Sequence, residues 1–401
     1  MSFKINNILE YDTFIALDIG AFKIKVLICK IENGEIKILG SSSFRQSKKD
    51  IIDGEIADLY SVSKSISKAI LRAGKDLEYI PDDIIVGFNS SQMVYDFIGM
   101  NYVRENSSSA ILMDEIDQII KNIEYKSLEK IRSKIESRLG IIDSEMKLIT
   151  TSLVSIYLDG QRVSNPIGFS GKNIKLNLIN VFSPISKFDI IKNVIRDINK
   201  NLISIVPISI SIPKLIEDTV YNFDFNLFID FGYSKTTIII SNNSEIIGFN
   251  TINFGFSLLE EELSKNLNLN YLDTENIIAK TEEFYIKHKN IFDKFFNLLL
   301  DSILVSAQDI QKKLYFKNIF LSGGGISEIL KNKIKDYLEK NDVGKNINMI
   351  DNFAEDESFK DYNVNNIFTT VLSLAKSGRE ILSIKKDPIA KILRYIIYKY
   401  E

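Results

Sequence analysis

Two stretches of the chain, 212 residues apart, share one pattern of strand, turn and strand. The first reads "FIALDIGAFKIKVLI" and the second "LFIDFGYSKTTIII". In each, an apolar run ends in Asp-x-Gly-x-x-Lys before a second apolar run begins. Runs rich in Ile, Val and Leu around a glycine turn predict β-hairpins. The repeat therefore predicts a chain built from two equivalent halves.

The residues in the two turns favour a phosphate-binding role. Gly20 and Gly232 let backbone N–H groups approach phosphate oxygens. Asp18 and Asp230, where their strands end, can hold a hydrated Mg²⁺. A single Asp-x-Gly turn is more often structural, because Asp and Gly favour turns in many α/β proteins. Two copies with matching lysine spacing predict a clamp on the phosphates of a nucleotide.

A third motif follows in "FKNIFLSGGGISEILKNKIKDYL". The apolar residues Ile319–Leu321 predict a strand, and an amphipathic helix is predicted from about Ser327. Three glycines join them, so a nucleoside or phosphate can lie against bare backbone at a helix N-terminus. Taken alone, this is equally a tight strand-to-helix connection. Its position after the two hairpins favours a role in nucleotide binding.

Composition and charge exclude several classes of function. The chain has 401 residues and a net charge of −3, with its basic residues scattered, so a nucleic-acid partner is not expected. Cys29 is the single cysteine and His288 the single histidine, which excludes an intramolecular disulfide, a cysteine-based metal site and a multi-His metal site. No signal peptide and no apolar run of ~20 residues is present, so we expect a protein of the reducing cytoplasm.

The order of the motifs resembles the two phosphate motifs and the adenosine motif of the superfamily of actin, sugar kinases and heat-shock chaperones. Within it, "IIDGEIADLYSVSKSISKAI" is similar to a segment of the FtsA family of bacterial cell-division proteins. The passage "YLDGQRVSNPIGFSGKNIKLNLINV" is similar to the one that closes that family's extra small subdomain.

This resemblance implies an α/β, actin-like fold. Two RNase H-like halves would enclose a nucleotide cleft, with a small α+β subdomain inserted in the first half and an amphipathic helix after the second. The implied boundaries are 1–86 and 179–215 for the first half, 87–178 for the inserted subdomain, 216–376 for the second half with an upper subdomain at about 240–300, 377–386 for a short linker and 387–401 for the amphipathic helix.

The resemblance also implies ATP and Mg²⁺ as ligands. Asp18 and Asp230 would hold Mg²⁺ through water. The residues carried over for ATP, apart from these two, are Gly20, Lys23, Gly232, Thr236, Gly323, Gly324 and Gly325. Phe22 and Tyr233 depart from the family pattern, and their rings must swing outward or block the phosphates. No residue that positions an attacking water is identified, so no catalytic residue is assigned and we expect at most a weak ATPase.

Three functions compete. The first is an adaptor that tethers filaments of the tubulin-like protein FtsZ, through its C-terminal peptide, to the cytoplasmic membrane at the division septum. Such an adaptor would self-associate into filaments and recruit other divisome proteins. The second is a PilM-like adaptor of type IV pilus assembly. The third is a sugar or small-acid kinase, for which no carboxylate base in a recognisable kinase motif is found.

The stretch "DPIAKILRYIIYKYE" separates the first function from the others, because the FtsA pattern includes an amphipathic tail. Steps of three and four residues predict one apolar helical face with cations opposite or beside it. The residues expected to bind a membrane are Ile389, Lys391, Ile392, Leu393, Arg394, Ile396, Ile397 and Lys399. Fourteen helical residues span only ~21 Å, so this helix can lie on a bilayer but not cross it. Docking on the body of the protein is the alternative.

Overall fold

Each half of the chain is built on a five-stranded mixed sheet. The computed structural model describes residues 13–90, 92–139, 146–268, 282–324, 326, 328–350 and 366–382. In chain order the strands are β1 Thr13–Ile19, β2 Lys23–Glu32, β3 Glu35–Arg45, β4 Ile51–Ile52, β5 Glu55–Ile56, β6 Asp83–Gly87, β7 Val94–Val103, β8 Met146–Leu158, β9 Gln161–Val163, β10 Asn173–Pro184, β11 Asn201–Val206, β12 Asn226–Phe231, β13 Thr236–Asn242, β14 Glu245–Ile252, β15 Phe316–Ser322 and β16 Gly344–Met349.

Helices cover the sheets and fill the space between them. The α-helices are α1 Leu59–Ala73, α2 Met113–Leu139, α3 Ile185–Asp197, α4 Ile208–Ser211, α5 Phe256–Leu267, α6 Glu282–Lys287, α7 Lys289–Ile310, α8 Glu328–Lys340 and α9 Thr369–Leu382. Short 3₁₀ turns lie at Ile212–Ile216, Val220–Phe223 and Asn366–Phe368. Among the described residues, none of the helices has both the length and the apolar composition that a membrane span requires.

The two sheets repeat one topology. Their spatial orders are β11-β6-β1-β2-β3 and β14-β13-β12-β15-β16. In each, the central strand pairs antiparallel with the next strand of its hairpin and parallel with a later strand. The register places Asp18 opposite Lys25 in the first hairpin and Asp230 opposite Thr237 in the second. The prediction of two equivalent halves is confirmed.

The inserted subdomain is a second layer built from one sheet and one helix. Its sheet has the order β7-β10-β8-β9, and the isoleucine stripe of α2 packs on the buried side chains of β10. Strand β10 pairs with both β7 and β8 as far as its last residues, so the insertion continues to Pro184, six residues beyond the predicted boundary.

Contacts between the insertion and the second half tie the two parts together. The Tyr157 hydroxyl donates to Glu245, and Arg162 Nη1 donates to the Asn243 carbonyl at 2.7 Å. The rings of Tyr95 and Phe249 meet edge to face at 4.3 Å. The insertion therefore contacts both halves.

The segment predicted as the upper subdomain, 240–300, begins within the sheet of the second half. Residues up to Ile252 belong to β13 and β14, because both strands pair along the hairpin. The described residues beyond them form α5, α6 and the start of α7, and Phe295 and Leu299 of α7 pack in the core of this half. The helix α7 is 22 residues long.

The last described helix, α9, runs across the predicted boundary between residues 376 and 377. Residues 369–376 had been placed in the second half and 377–386 in a linker, yet 369–382 form one helix between the sheets. Its Val371 and Leu374 pack in a cluster that includes Phe14 from the first sheet and Phe228 from the second. The small residue Gly378 permits this approach, because a Cβ there would lie 2.5 Å from the Phe14 ring.

We expect Gly378→Ala to destabilise the protein. Alanine is normally favoured in a helix by about 1 kcal/mol, but overpacking against Phe14 should lower the free energy of unfolding by about 1–3 kcal/mol. Urea denaturation measures the difference. Gly324→Ala is the matched control, since its Cβ would meet no atom closer than 3.9 Å. Equal stability of both variants would show that α9 does not pack this tightly.

Candidate functional site

A cavity of about 710 Å³ lies between the halves where the two hairpin turns meet. The hairpin pairing places Asp18 and Asp230 at equivalent positions of the two central strands, so both turns face one space. The predicted site residues that line this cavity are Asp18, Gly20, Lys23, Asp230, Gly232, Gly323 and Gly324. Both halves therefore contribute the residues that the sequence singled out.

Two predicted residues are not placed in the cavity. Thr236 is fully buried, and its Oγ1 donates to the Phe254 carbonyl at 2.7 Å, so it does not line the cavity. Its neighbour Thr237 does, because successive residues of a strand point to opposite faces. Gly325 lies outside the described residues, as do the eight predicted membrane-binding residues of 387–401.

The carboxylate of Asp18 is held by two donors. Lys25 Nζ lies 2.7 Å from Asp18 Oδ2, and Thr370 Oγ1 at the start of α9 donates to the same oxygen at 2.5 Å. The Lys25 and Asp18 side chains are only 15% and 8% exposed, so this ion pair is little screened by water. The first hairpin is thereby fixed to α9.

The environment of Asp230 is less favourable for a charged carboxylate than that of Asp18. Its Oδ1 accepts a hydrogen bond from Ser322 Oγ at 2.7 Å. Burial raises the pKa of Asp230, and the negative charge of Asp18 raises it further, whereas the Ser322 hydrogen bond and the Lys25 charge lower it. A second carboxylate kept charged in this cavity costs free energy unless a cation joins it.

The aromatic residues of the two turns stack on each other across the cleft. The ring centroids of Phe22 and Tyr233 are 5.1 Å apart with an interplanar angle of 28°. The Tyr233 hydroxyl donates to Glu260 on α5, and Lys48 of the first half lies 2.6 Å from the other Glu260 oxygen. Phe22 and Tyr233, here called the aromatic clasp, therefore point at one another rather than outward, and with Glu260 and Lys48 they join the two halves.

Positive charge surrounds the clasp. The Lys23 ammonium and the Arg45 guanidinium lie 5.3 and 5.4 Å from the Phe22 ring centroid, and both residues line the cavity. Lys235 Nζ is buried and has no hydrogen-bond partner among the described residues, and burial lowers the pKa of this lysine. The charges of Glu55 and Asp53 act on this ammonium, but its hydrogen-bond donors are available to an anionic ligand.

The glycine turn after β15 forms the opposite side of the cavity. Gly323 has a φ of +125°, and a Cβ there would lie 2.2 Å from the Phe231 carbonyl oxygen. Only glycine fits at this position. Ile326 and Ile367 line the cavity beside it. This apolar side is suited to a flat ring, whereas the hairpin side is suited to charged groups.

Several site residues were missed by reading the sequence. Lys25 could have been found by counting the register of the hairpin, since a turn closed between Ile19 and Ile24 puts Lys25 opposite Asp18. Thr370, Glu260 and Lys48 carry no local signal, because they reach the cleft only through tertiary packing.

Comparisons with known proteins agree with this architecture. No protein-family model matches the chain. The cell division protein FtsA of Streptococcus pneumoniae is 23% identical over 290 residues, which cover 68% of this chain and 59% of that protein. The predicted similarity to FtsA is confirmed. The chain spans less than two thirds of the length of this relative.

Solved structures give the fold. The PilM-PilN type IV pilus biogenesis complex contains a chain with a TM-score of 0.64 and 14% identity, covering 92% of this chain and 99% of its own. This chain has the actin-like ATPase fold. The ethanolamine utilization protein EutJ from Carboxydothermus hydrogenoformans has a TM-score of 0.51 and 10% identity, covering 92% of this chain and 91% of its own. At these identities the likeness concerns the fold alone.

We expect Asp230→Asn to stabilise the ligand-free protein. Because the folded-state pKa of Asp230 is raised above its ordinary 3.8, folding loses stability as the pH rises from 3.8 to the folded-state pKa. Replacing the carboxyl by an amide should raise the free energy of unfolding at pH 7 by about 0.5–2 kcal/mol. The gain should vanish below pH 3.8, where the carboxyl is protonated in both states. Urea denaturation at several pH values measures it.

Asp18→Asn is the matched variant with the opposite expectation. It leaves the buried Lys25 ammonium without its ion-pair partner, which should cost about 3 kcal/mol. Destabilisation by both substitutions would contradict the difference in environment between the two carboxylates.

Proposed function

We propose that the chain is a nucleotide-binding adaptor that holds a cytoskeletal filament at the cytoplasmic membrane. Nucleotide binding is supported by one observation. Two equivalent hairpins, each with an aspartate at the end of its first strand, meet around one cavity. Lys23, Lys25 and Lys235 bring positive charge for the phosphates, and Ile326 and Ile367 offer an apolar surface for the base. ATP is the nucleotide implied by the FtsA resemblance.

The residues of the cleft fit a magnesium ion. Asp18 and Asp230 supply only oxygen donors, which Mg²⁺ prefers, and burial raises the pKa of Asp230, so a cation beside this carboxylate would be favourable. These two carboxylates would hold the ion through water. When bound, Mg²⁺ neutralises charge on the phosphates. The chain's own contribution is to fix Asp18 by Lys25 and Thr370 and to join the halves through the aromatic clasp.

Nucleotide binding gives a direct test with the full chain. Lys25→Met should weaken binding of a fluorescent ATP analogue about 10-fold or more, because one charge-assisted contact contributes about 1.5–3 kcal/mol. Asp230→Asn should abolish the difference between affinities measured with Mg²⁺ and with EDTA. Lys64→Met, an exposed lysine on α1, is the control for net charge. Absence of binding by the natural chain at millimolar nucleotide would refute this part of the proposal.

The filament part of the proposal rests on the FtsA relative and on the sequence of 387–401. The partner would be the C-terminal peptide of FtsZ, bound in the region of α5 to α7, and copies of the chain would assemble into filaments with other divisome proteins at the septum. Since no catalytic residue is assigned, the nucleotide would set conformation and assembly rather than drive turnover.

A PilM-like adaptor is the second candidate, favoured by one observation. The chain in the PilM-PilN complex is matched over 99% of its length. Under this alternative the partner would be a PilN-like protein and residues 387–401 would dock on the body. A kinase remains third, since its carboxylate base has not been found.

Vesicle co-sedimentation in the presence of FtsZ separates these functions. We expect the full chain to pellet with anionic vesicles and to carry FtsZ with it, whereas a chain ending at Lys386 should do neither. Ile396→Glu on the apolar face should abolish pelleting, and Tyr398→Glu on the opposite face is its matched control.

Two results would point elsewhere. If the full chain pellets with the vesicles while FtsZ stays in the supernatant, FtsZ is not its filament partner. Equal behaviour of the full and shortened chains would reject residues 387–401 as an anchor.

A further inference from the structure

Two large apolar side chains project from one short turn of the second half. Val220 is 79% exposed and Phe223 is 63% exposed, and the 3₁₀ turn that carries them buries none of its residues. Between them Tyr221 points inward, with its ring 6.0 Å from that of Phe320. The turn is therefore anchored to the core, while its apolar tip faces outward. Val220 and Phe223 together are called the apolar turn.

The apolar turn lies beside the end of α9. Asp218, two residues before Val220, accepts a hydrogen bond from Lys376 at 3.3 Å and lies 3.9 Å from Arg379. Tyr221 and Leu382, the last residue of α9, pack on the same hydrophobic cluster. The chain consequently leaves the described body next to this turn.

The distance from α9 to the predicted amphipathic helix is short. Residues 383–386 separate Leu382 from Asp387, and an extended chain of this length reaches at most about 18 Å. A helix over 387–401 that lies on a bilayer would hold the corner containing the apolar turn within that distance of the lipid. Any exposed apolar group at this corner is then available to the interface.

The described acidic side chains around the apolar turn have cations nearby, and Glu217 shares Lys214 with Glu380. Asp224 directly follows Phe223 and lies 2.7 Å from Lys317, which is itself exposed. Glu380 of α9 is paired with Lys214, and Asp218 with Lys376. Because these carboxylates have cationic partners, they do not oppose approach to an anionic surface as unpaired acids would.

We propose that Val220 and Phe223 insert into the lipid interface as a second membrane contact of this protein. The proposal rests on the membrane binding proposed for residues 387–401. With this second contact, the body would bind the bilayer through the corner that carries the apolar turn, in addition to the amphipathic helix. The chemical partner is the headgroup and upper acyl region of a bilayer, into which exposed Phe and Val side chains partition favourably.

The test uses a single fluorescent label on the full chain. Cys29 is fully buried, and burial raises the pKa of its thiol, so it reacts poorly. Phe223→Cys therefore gives one reactive position for an environment-sensitive dye. Leu71→Cys is the control, because Leu71 is 64% exposed on α1, which packs on the sheet face opposite α9.

With vesicles of phosphatidylcholine and phosphatidylglycerol, emission from position 223 should shift to the blue and be quenched by quenchers attached to the lipid. Emission from position 71 should not change. Phe223→Ser without a label should weaken vesicle binding about fivefold. The matched Leu71→Ser should bind as the natural chain does.

Three results would overturn the proposal. Pelleting with unchanged emission at position 223 would leave residues 387–401 as the sole contact and the proposed function intact. A blue shift without vesicles, lost in the chain ending at Lys386, would show that residues 387–401 cover the apolar turn. Failure of the full chain to pellet at all would reject the proposed membrane function and this contact together.

Discussion

The burial of α9 between the two sheets is the packing interaction on which the rest of the structure depends. Phe14 and Phe228 come from sheets separated by more than 200 residues of sequence, and Val371 and Leu374 fill the space between them. Gly378 and Gly87 allow the close approach, since a Cβ at either position would meet a side chain at 2.5 Å or less. Without this helix the cluster between the halves would lose Val371 and Leu374, and Asp18 would lose the hydroxyl of Thr370.

The architecture could be predicted from the sequence wherever a local pattern determined it. The Asp-x-Gly turns and the glycine turn after β15 each specify a short piece of backbone, and their order specifies the fold. The helix α9 could not be predicted in this way. Lys376, Ser377 and Gly378 have the composition of a linker, and they are buried only because two distant sheets enclose them.

Within the cleft, too, residues in a local sequence pattern could be predicted, whereas contacts made by tertiary packing could not. Asp18 and Asp230 are predicted because each ends an apolar strand. Thr236 is also predicted, but Thr237 lines the cavity in its place, because the face on which a strand residue lies depends on register. The stacking of Phe22 on Tyr233 joins residues 211 positions apart and has no sequence signature. The aromatic departures from the family pattern thus acquire a structural role: they connect the two phosphate-type turns directly.

The position of α9 also has a mechanical consequence. Thr370 at one end contacts the carboxylate in the cleft, and Arg379 near the other end contacts Glu35 and Asp218 at the corner where the chain leaves the body. The ten residues from Thr370 to Arg379 form a helical rod of about 14 Å. This single element joins the Asp18 carboxylate in the cleft to the corner that carries the apolar turn.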